Sequence, residues 1–404
     1  MMSNRPRRPG RHFLQIPGPT PIPDRVLRAI DAPVIDHRGP EFQKISKRVL
    51  EKVKAPFKTK NPVIIFPASG TGGWEAALVN TLSPGDRVLM FETGQFAALW
   101  KAMAANLGLK PEFIESDWRI GADPAQIEER LRQDKNKEIK AVCVVHNETA
   151  SGTTSPIAEI RQVIDKLNHP ALLFVDAVSS LASIELRHDE WGIDVTVAGS
   201  QKGLMLPAGL AFNAVSQKAL AASKNSGFKK SYWSWADMLA NNANGFFPYT
   251  PATNIIYGLD VALDMLEEEG YERIFARHKR HAEATRRAVV AWGLEVLCKD
   301  PKYYSPVVTS VLLPPGYDAD AFRAVVLENF NMSLGTGLGR VAGKVFRIGH
   351  LADTNDLTIL GALSGVEMGL ELAGIPHKKA GVQAAMAYLA EEARKSTQKL
   401  AAAE

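Results

Sequence analysis

Short apolar runs alternate with segments of helical periodicity between Asn61 and Ser216. The candidate strands are residues 87–91, 140–145, 171–175 and 195–198, and the candidate helices between them are residues 96–107, 124–132 and 157–167. Apolar runs rich in β-branched residues are typical of buried strands, and this alternation predicts a mainly parallel sheet with helices on both faces. We therefore expect an α/β fold whose ligands bind beyond the carboxyl ends of the strands.

A lysine follows the run at 195–198, in the sequence Gly199-Ser-Gln-Lys-Gly. An ammonium group that leaves water for a partly apolar cleft has its pKa lowered, which makes the amine a usable nucleophile. Such an amine can form a Schiff base with a carbonyl compound. The alternative is a lysine that extends from a strand end into solvent, and it is the more common arrangement when Lys202 is considered alone.

A carboxylate ends the preceding run, Ala171-Leu-Leu-Phe-Val-Asp. Buried carboxylates are rarely unpaired, so Asp176 could be a strand-end cap, a metal ligand or a cofactor-binding group. Pyridoxal phosphate needs a lysine for its aldehyde and a carboxylate for its pyridinium nitrogen. Lys202 and Asp176 together therefore predict a pyridoxal-phosphate site.

A glycine-rich turn lies between a third apolar run and a helix, in Phe66-Pro-Ala-Ser-Gly-Thr-Gly-Gly-Trp-Glu. Its backbone could direct several N–H groups at one anion, at the positive end of the helix. It is neither a Walker A loop, since no lysine follows the glycines, nor a G-x-G-x-x-G motif. The turn predicts a phosphate site that includes Ser69, Gly70, Thr71 and Gly72.

A helical stretch from Asn254 to Ala291 leads into a second pattern. Its candidate strands are residues 294–298, 310–313 and 345–348, and its candidate helices are residues 318–328 and 355–372. This pattern predicts a small C-terminal α+β domain, so the expected organisation is an N-terminal arm (1–20), a large domain (21–290) and a small domain (291–404). Arg347 could hold a substrate carboxylate through two parallel hydrogen bonds, and a surface arginine paired with an acid is the alternative.

Composition bears on the class of partner and on the compartment. The chain has 404 residues, a net charge of +4 and no apolar run long enough to span a bilayer, so we expect neither nucleic acid nor a membrane as a partner. The N terminus lacks the apolar core of a signal peptide, and the two cysteines form no disulfide framework or metal motif, so we expect a reducing cytoplasm and no metal. His188 and the histidines at 278–281 are expected at the surface.

Seven motifs follow one another along nearly the whole chain. They are Pro17-Gly-Pro-Thr-Pro-Ile-Pro, Ala68-Ser-Gly-Thr-Gly-Gly-Trp-Glu, His146-Asn-Glu-Thr, Phe174-Val-Asp-Ala-Val-Ser-Ser, Gly199-Ser-Gln-Lys-Gly, Pro248-Tyr-Thr-Pro and Phe346-Arg-Ile-Gly-His. In this order they resemble the class V aminotransferases, a branch of the fold-type I pyridoxal-phosphate enzymes, and most of all the bacterial serine–glyoxylate aminotransferases. The resemblance implies an aspartate-aminotransferase-like large domain with a seven-stranded, mainly parallel sheet.

The resemblance also implies a reaction with small amino-acid and 2-oxo-acid substrates. The expected reaction is transamination of glyoxylate to glycine, with L-serine as the donor that becomes hydroxypyruvate. Alanine or aspartate as the donor is an alternative. A cysteine desulfurase or related lyase is a more remote one, because it needs a mobile cysteine, while Cys143 lies in a candidate strand and Cys298 lies near another. A dehydrogenase is disfavoured because no acidic residue follows the glycine-rich turn at ribose spacing.

Carried over to this sequence, the resemblance implies that Lys202 binds the cofactor aldehyde and moves the substrate Cα proton, while Asp176 pairs with the pyridine nitrogen. The other implied cofactor ligands are Thr71, Gly72 and Gln201 at the phosphate, beside Ser69 and Gly70, with Thr149 at the ring hydroxyl and Val178 and Phe96 on the two ring faces. Many relatives have tryptophan at the position of Phe96, which implies weaker stacking here.

The resemblance implies a partner subunit as well. Tyr249 and Thr250 match residues that complete the phosphate site of a neighbouring subunit, which implies a homodimer or a dimer of dimers. Arg347 matches the arginine that binds the substrate carboxylate. His37 belongs to an N-terminal loop that lines the cleft in relatives.

Overall fold

The computed structural model describes residues 9–401, which form a seven-stranded sheet, a five-stranded sheet and a two-stranded ribbon. The strands are β1 (Phe13–Gln15), β2 (Val63–Ala68), β3 (Arg87–Phe91), β4 (Lys110–Ile114), β5 (Ile139–Val145), β6 (Asn147–Glu148), β7 (Thr153–Thr154), β8 (Leu172–Asp176), β9 (Val195–Gly199), β10 (Gly209–Val215), β11 (Glu295–Val296), β12 (Val308–Leu312), β13 (Met332–Thr336) and β14 (Val345–Gly349). The helices are α1 (Asp24–Ile30), α2 (Pro40–Lys52), α3 (Lys54–Phe57), α4 (Gly70–Thr81), α5 (Gln95–Asn106), α6 (Pro124–Gln133), α7 (Ile157–Lys166), α8 (Gln217–Ser223), α9 (Trp235–Asn242), α10 (Thr253–Glu269), α11 (Tyr271–Trp292), α12 (Ala319–Phe330), α13 (Asp356–Leu372) and α14 (Gly381–Ala401).

The seven-stranded sheet has the strand order β2-β10-β9-β8-β5-β3-β4. Neighbouring strands are parallel except where β10 pairs with β2 and with β9. The prediction of a mainly parallel sheet is therefore confirmed. Because β2, β5, β8 and β9 run in the same direction, the segments that follow them meet at one edge of the sheet.

Strand β8 explains why the apolar runs of this sheet are continuous. Leu172 and Phe174 belong to one apolar cluster, and Leu173 and Val175 belong to another. Successive side chains of a strand point to opposite faces, and helices cover both faces here, so both sets of side chains are apolar. Polarity returns only at Asp176, where the strand reaches the edge of the sheet.

The five-stranded sheet has the order β1-β13-β14-β12-β11, with β1 parallel to β13 and the other pairs antiparallel. It shares a separate apolar core with helices α11 to α14, and this core includes Trp292, Phe322 and Phe346. Strand β1 comes from the segment expected to be an N-terminal arm, so that segment contributes to the smaller sheet. Residues 1–8 of the arm lie outside the described residues, and the domain boundaries after residues 20 and 290 stay a prediction.

Several elements differ from the sequence prediction. The helical stretch at 254–291 is two helices, because Gly270 adopts a positive φ of 84° between them. The strand expected at 294–298 is reduced to the two residues of β11. Strand β10 was not predicted from the sequence, because Asn213 interrupts its apolar run. That side chain is buried and donates to the carbonyl of Gly73 at 3.1 Å.

The expectation of surface histidines is wrong for His188, His278 and His281, all of which are fully buried. Burial lowers the pKa of His188 and His281 to about 4 and that of His278 to about 3. A neutral imidazole can be buried when the protein supplies its hydrogen bonds, as Ile274 does by accepting from His278 Nδ1 at 2.7 Å. The spacing of histidines along α11 cannot show which helix face the rest of the chain covers.

Candidate active site

The segments that follow five strands of one direction, β2, β3, β5, β8 and β9, line one cavity of about 250 Å³ at the carboxyl edge of the large sheet. Nine of the predicted site residues line this cavity: Ser69, Gly70, Thr71, Phe96, Thr149, Asp176, Val178, Gln201 and Lys202. The register of the strands places them together, because Asp176 pairs with Val145 on one side and with Val197 on the other. The sheet thus assembles residues that are more than a hundred positions apart in sequence.

The other predicted site residues lie outside the lining of this cavity. Gly72 continues the first turn of α4, where a Cβ atom would lie 2.6 Å from the ring of Trp233. Tyr249 stacks on Tyr232 with ring centroids 4.4 Å apart, and its hydroxyl donates to the Tyr232 carbonyl at 3.1 Å. Thr250 is exposed.

His37 and Arg347 also lie outside the cavity lining. His37 is partly buried, and its Nε2 has no hydrogen-bond partner among the described residues. Arg347 is buried in β14, so the alternative of a surface arginine is wrong.

Lys202 is buried at the base of the cavity with about a tenth of its surface exposed (9%). Its Nζ donates to the carbonyl oxygen of Pro17 at 2.5 Å. Burial lowers the pKa of Lys202 to about 8, the positive charge of Arg347 adds to the decrease, and the carboxylate of Asp176 opposes it. An amine with this pKa is unprotonated in roughly a tenth of molecules at pH 7, far more than an ordinary lysine, so it can act as a nucleophile and as a base.

The N-terminal segment packs directly on Lys202. Gly18 has a positive φ of 104°, and a Cβ atom at this position would lie 2.4 to 2.7 Å from three atoms of the Lys202 side chain. Only glycine allows both the backbone conformation and the close approach. The segment that precedes α1 therefore forms one wall of the cavity.

Asp176 faces the same cavity from the end of β8 and is also buried. Its Oδ1 accepts the backbone N–H of Val178 at 2.8 Å. Burial raises the pKa of Asp176 to about 6, while this hydrogen bond, the indole of Trp74 and the charge of Lys202 oppose the increase. The side chain is therefore mainly a carboxylate at neutral pH and can accept a hydrogen bond from a cationic N–H.

The glycine-rich turn opens helix α4, with Ser69 at the N-cap and no side chain capping the first turn. Backbone N–H groups in the first turn of a helix have no acceptors within the helix and create a positive potential. Gly70 is required for packing as well, since a Cβ atom there would lie 2.5 Å from Val178. The turn can therefore bind an anion between the N–H groups and the hydroxyls of Ser69 and Thr71.

Gln201 supplies a second indication that the cavity is built for a ligand. Its buried Oε1 has no hydrogen-bond partner among the described residues. Buried polar atoms in proteins are nearly always hydrogen-bonded, so an orphaned amide at a cavity wall indicates a partner outside the chain. Either end of the amide can serve such a partner, because the group can turn over.

Arg347 reaches toward the cavity from the smaller sheet. Its Nε donates to the carbonyl of Thr336 at 2.7 Å, and its Nη1 donates to the carbonyl of Thr149 at 3.0 Å. Burial lowers the pKa of Arg347 to about 10, so it stays cationic at neutral pH. The two carbonyls use two of the five N–H donors of the guanidinium group, which leaves others for a carboxylate.

Four residues that line the cavity are absent from the predicted site: Gly18, Trp74, Asn147 and Ser179. Trp74 stacks on Trp100 with ring centroids 5.7 Å apart and widens the aromatic wall at Phe96. Asn147 donates to the hydroxyl of Ser179 at 2.8 Å, which links two of the segments that follow strands. Three of these residues belong to motifs that also contain predicted residues, so including every residue after a strand end would have found them.

A family model described as aminotransferase class V matches residues 12–339 of the chain. The chain belongs to the class V aminotransferases. It is 50% identical over 392 residues to the serine–glyoxylate aminotransferase of Methylorubrum extorquens, which covers 95% of this chain and 98% of that protein. It is 45% identical over 362 residues to the L-aspartate–glyoxylate aminotransferase of Paracoccus denitrificans, which covers 89% of this chain and 91% of that protein.

The structure of this aminotransferase is similar to solved structures of the same enzyme class. The crystal structure of the ureidoglycine–glyoxylate aminotransferase of Bacillus subtilis superposes with a TM-score of 0.87 at 28% sequence identity, over 95% of this chain and all of that one (100%). The predicted fold class is thereby confirmed. Within residues 9–401, no helix combines the length and apolarity needed to cross a membrane, and no group of three or more His, Cys, Asp or Glu side chains is placed to bind a metal.

Proposed function

We propose that this aminotransferase uses pyridoxal phosphate to transfer the amino group of L-serine to glyoxylate, which yields hydroxypyruvate and glycine. The observation that carries the substrate assignment is the 50% identity to a serine–glyoxylate aminotransferase over nearly the full length of both proteins. The cavity supports it, because a buried amine, a buried carboxylate and a helix N terminus converge on one space. A small donor and an acceptor without a side chain are compatible with a compact, polar site.

The residues at the cavity fit pyridoxal phosphate. The first turn of α4 with Ser69, Gly70, Thr71 and Gly72 would hold its phosphate, and the orphaned amide of Gln201 would supply a further hydrogen bond.

The carboxylate of Asp176 would accept a hydrogen bond from the protonated pyridine nitrogen of the cofactor. Thr149 would bind the ring hydroxyl, and Val178 and Phe96 would pack on the ring faces. When bound, this cofactor supplies an electron sink that stabilises negative charge at the substrate Cα.

Each protein group has a separate task in the proposed reaction. The amine of Lys202 would take the proton from the substrate Cα and pass it to the cofactor, and would reverse this transfer in the second half-reaction, for which a pKa of about 8 is well suited. Arg347 binds the substrate carboxylate and thereby sets which Cα bond faces that amine. The aromatic side chains of Trp74 and Phe96 limit the access of water on one side.

The quaternary structure and location belong to the same proposal. Tyr249 and Thr250 would complete the phosphate site of a neighbouring subunit in a homodimer or a dimer of dimers, which agrees with their position outside the cavity of their own chain. His37 would line the cleft. A reducing cytoplasm is supported by two buried cysteines that form no disulfide, Cys143 and Cys298.

L-Aspartate is the second candidate donor, because an L-aspartate–glyoxylate aminotransferase is 45% identical to this chain. A desulfurase-like reaction is disfavoured, since burial raises the pKa of the Cys298 thiol to about 11 and raises that of Cys143 further. The deciding experiment is a matrix of initial rates with L-serine, L-alanine and L-aspartate as donors and with glyoxylate, pyruvate and 2-oxoglutarate as acceptors. We expect the highest kcat/KM for L-serine with glyoxylate, and a higher value for L-aspartate would overturn the donor assignment.

A further inference from the structure

Glu148 is a buried carboxylate beside the cavity, and the mechanism above gives it no task. It lies in β6 between Asn147 and Thr149, both of which line the cavity, and its side chain is completely buried. A buried carboxylate is costly unless hydrogen bonds satisfy it, so its partners indicate what it does.

Three backbone N–H groups satisfy this carboxylate. Its Oε2 accepts from Phe96 at 3.0 Å and from Ala97 at 3.2 Å, and its Oε1 accepts from Ala150 at 3.0 Å. Phe96 and Ala97 are in the first turn of α5, whose N-cap residue, Gly94, has no side chain to supply an acceptor. Glu148 therefore caps α5 from a distant segment. Burial raises the pKa of Glu148 to about 7 and the charge of Asp176 adds to the increase, while the three N–H groups oppose it, so the side chain carries its negative charge in part of the molecules at neutral pH.

The backbone at Gly94 is shaped to admit Glu148. A Cβ atom on Gly94 would lie 2.5 Å from Cγ and 2.7 Å from Cδ of Glu148. The φ angle of 164° at Gly94 is extended and open to any residue, so the steric contact alone requires glycine. The carboxylate is thus held against the start of α5 from two sides.

The partners of Glu148 include residues that act on both the cofactor and the substrate. Phe96 lines the cavity, and its backbone is fixed by Oε2. Thr149 follows Glu148 directly, and its carbonyl accepts the Nη1 hydrogen bond of Arg347 at 3.0 Å. The negative charge of Glu148 also stabilises the cationic form of Arg347.

We infer that Glu148 is a positioning residue. It sets the geometry of Arg347 through the carbonyl of Thr149, and it sets the position of Phe96 through the backbone of that residue. Glu148 thereby couples binding of the substrate carboxylate to packing of the cofactor ring. The inference rests on the proposed function, because that function assigns the substrate carboxylate to Arg347. Glu148 itself touches neither the substrate nor the reacting atoms.

The test compares Glu148→Gln with a matched control, Glu92→Gln, in the purified holoenzyme. Glutamine keeps the size of the side chain, but its amide nitrogen cannot accept a hydrogen bond and its charge is zero. Glu92 is also buried beyond the end of a strand of the same sheet, but its partners, Trp118, Arg340 and the backbone N–H of Ser116, lie outside the cavity lining. The non-reacting probe is glycolate, a two-carbon carboxylate with neither an amino nor an oxo group, and calorimetry measures its affinity.

For Glu148→Gln we expect KM for both substrates and Kd for glycolate to rise about tenfold, as for the loss of one well-placed hydrogen bond to a charged group. The visible circular dichroism of the bound cofactor should change as well, because the one acceptor oxygen of the amide cannot satisfy both the start of α5 and Ala150. Glu92→Gln should leave all of these values unchanged. Wild-type enzyme that binds glycolate but transfers no amino group to glyoxylate would refute the proposed function. If the wild type is active, any result of the variants bears on the role of Glu148 alone.

Gly94→Ala provides a second variant that displaces Glu148 without removing its charge. It should raise the glycolate Kd and change the circular dichroism in the same direction as Glu148→Gln. Folded variants with wild-type glycolate affinity and an unchanged spectrum would overturn the inference. Failure of both variants to fold, judged by far-ultraviolet circular dichroism, would also overturn it, since Glu148 would then determine folding rather than positioning.

Discussion

Two regions of this aminotransferase bury polar side chains, and the hydrogen-bonding groups of these side chains are satisfied in different ways. Beside the smaller sheet, His281 binds Asp356 and Thr354 with its two ring nitrogens, and His350 binds Thr309 and the carbonyl of Pro306. At the cavity, the buried Oε1 of Gln201 has no partner among the described residues.

Burial lowers the pKa values of His281 and His350 well below the usual 6.5, so both are neutral, and both ring nitrogens of each have partners within the fold. Lys202 and Asp176 also have pKa values shifted by burial, but they face open space between them rather than a packed core. Perturbed ionisable groups therefore indicate a functional site only where a cavity accompanies them. Substitutions of these buried groups can therefore show whether each one serves the ligand or the fold.

The largest expected effect is that of Lys202→Ala. Transamination should fall by at least about a thousandfold, because Lys202 is the only lysine among the described residues that line the cavity, and proton transfer by a positioned group contributes about that much. The fold and noncovalent cofactor binding should persist. Steady-state rates and the visible spectrum measure both effects, with Lys110→Ala on the exposed face of β4 as the control, and near-normal turnover by Lys202→Ala would contradict the assignment.

Asp176→Asn should have the next largest effect. An amide cannot supply the negative charge that keeps the pyridine nitrogen protonated, so kcat should fall roughly a hundredfold, as for the loss of one strong electrostatic contact in a buried site. The melting temperature of the cofactor-free protein should change little. Asp194→Asn is the matched control, since Asp194 is a buried carboxylate at the opposite end of the same sheet. An unchanged kcat in Asp176→Asn would make Asp176 a purely structural residue.

Arg347→Lys tests whether the buried guanidinium group binds the substrate carboxylate. A lysine cannot reproduce the bidentate geometry of a guanidinium group, so KM for L-serine and for glyoxylate should each rise about tenfold. The cofactor spectrum should be almost unchanged. Arg323→Lys, which alters another arginine that donates to a strand carbonyl, should have little effect on either KM. Weaker cofactor retention with unaltered KM values would place Arg347 at the cofactor instead.

The smallest expected effect is that of His281 on the pH dependence of the free energy of unfolding. The pKa of His281 is lowered to about 4, so between pH 6.5 and 4 the unfolded chain binds a proton that the folded protein does not, and stability decreases as the pH falls. From about pH 7 to about pH 5.5 this one residue should account for a loss of about 1 kcal/mol in the free energy of unfolding. Urea unfolding should show a smaller loss in His281→Gln than in the wild type. Equal losses in wild type and His281→Gln would show that His281 does not contribute.

The cavity was accessible to sequence reasoning because of the topology of the sheet. Parallel strands end at a common edge, so any polar residue directly after such a strand, as at Asp176 or Thr149, is placed near the others. The parts of the cavity wall that come from other segments of the chain could not be predicted in this way. Gly18 reaches Lys202 from an N-terminal segment that the sequence marks only as proline-rich, and the close contact depends on tertiary packing.

The same limit explains the errors outside the site. Whether a polar side chain such as His278 is buried depends on which helix face the small sheet and its helices cover, and periodicity does not give that information when polar residues occupy the face. Strand β10 was not predicted for a related reason. Its Asn213 is buried because it forms hydrogen bonds with the carbonyl of Gly73 and with the indole of Trp235, both distant in sequence. Buried polar residues that are satisfied by tertiary contacts look like surface residues in a sequence.

The most direct test of the central claim is borohydride reduction of the purified holoenzyme followed by peptide mass mapping. We expect the cofactor aldehyde to bind the amine of Lys202, which lines the same cavity as Asp176. We therefore predict that reduction bleaches the visible absorbance, abolishes transamination and leaves a pyridoxyl group on Lys202. A pyridoxyl group on a different lysine, or an enzyme that remains active with no labelled lysine, would contradict the account.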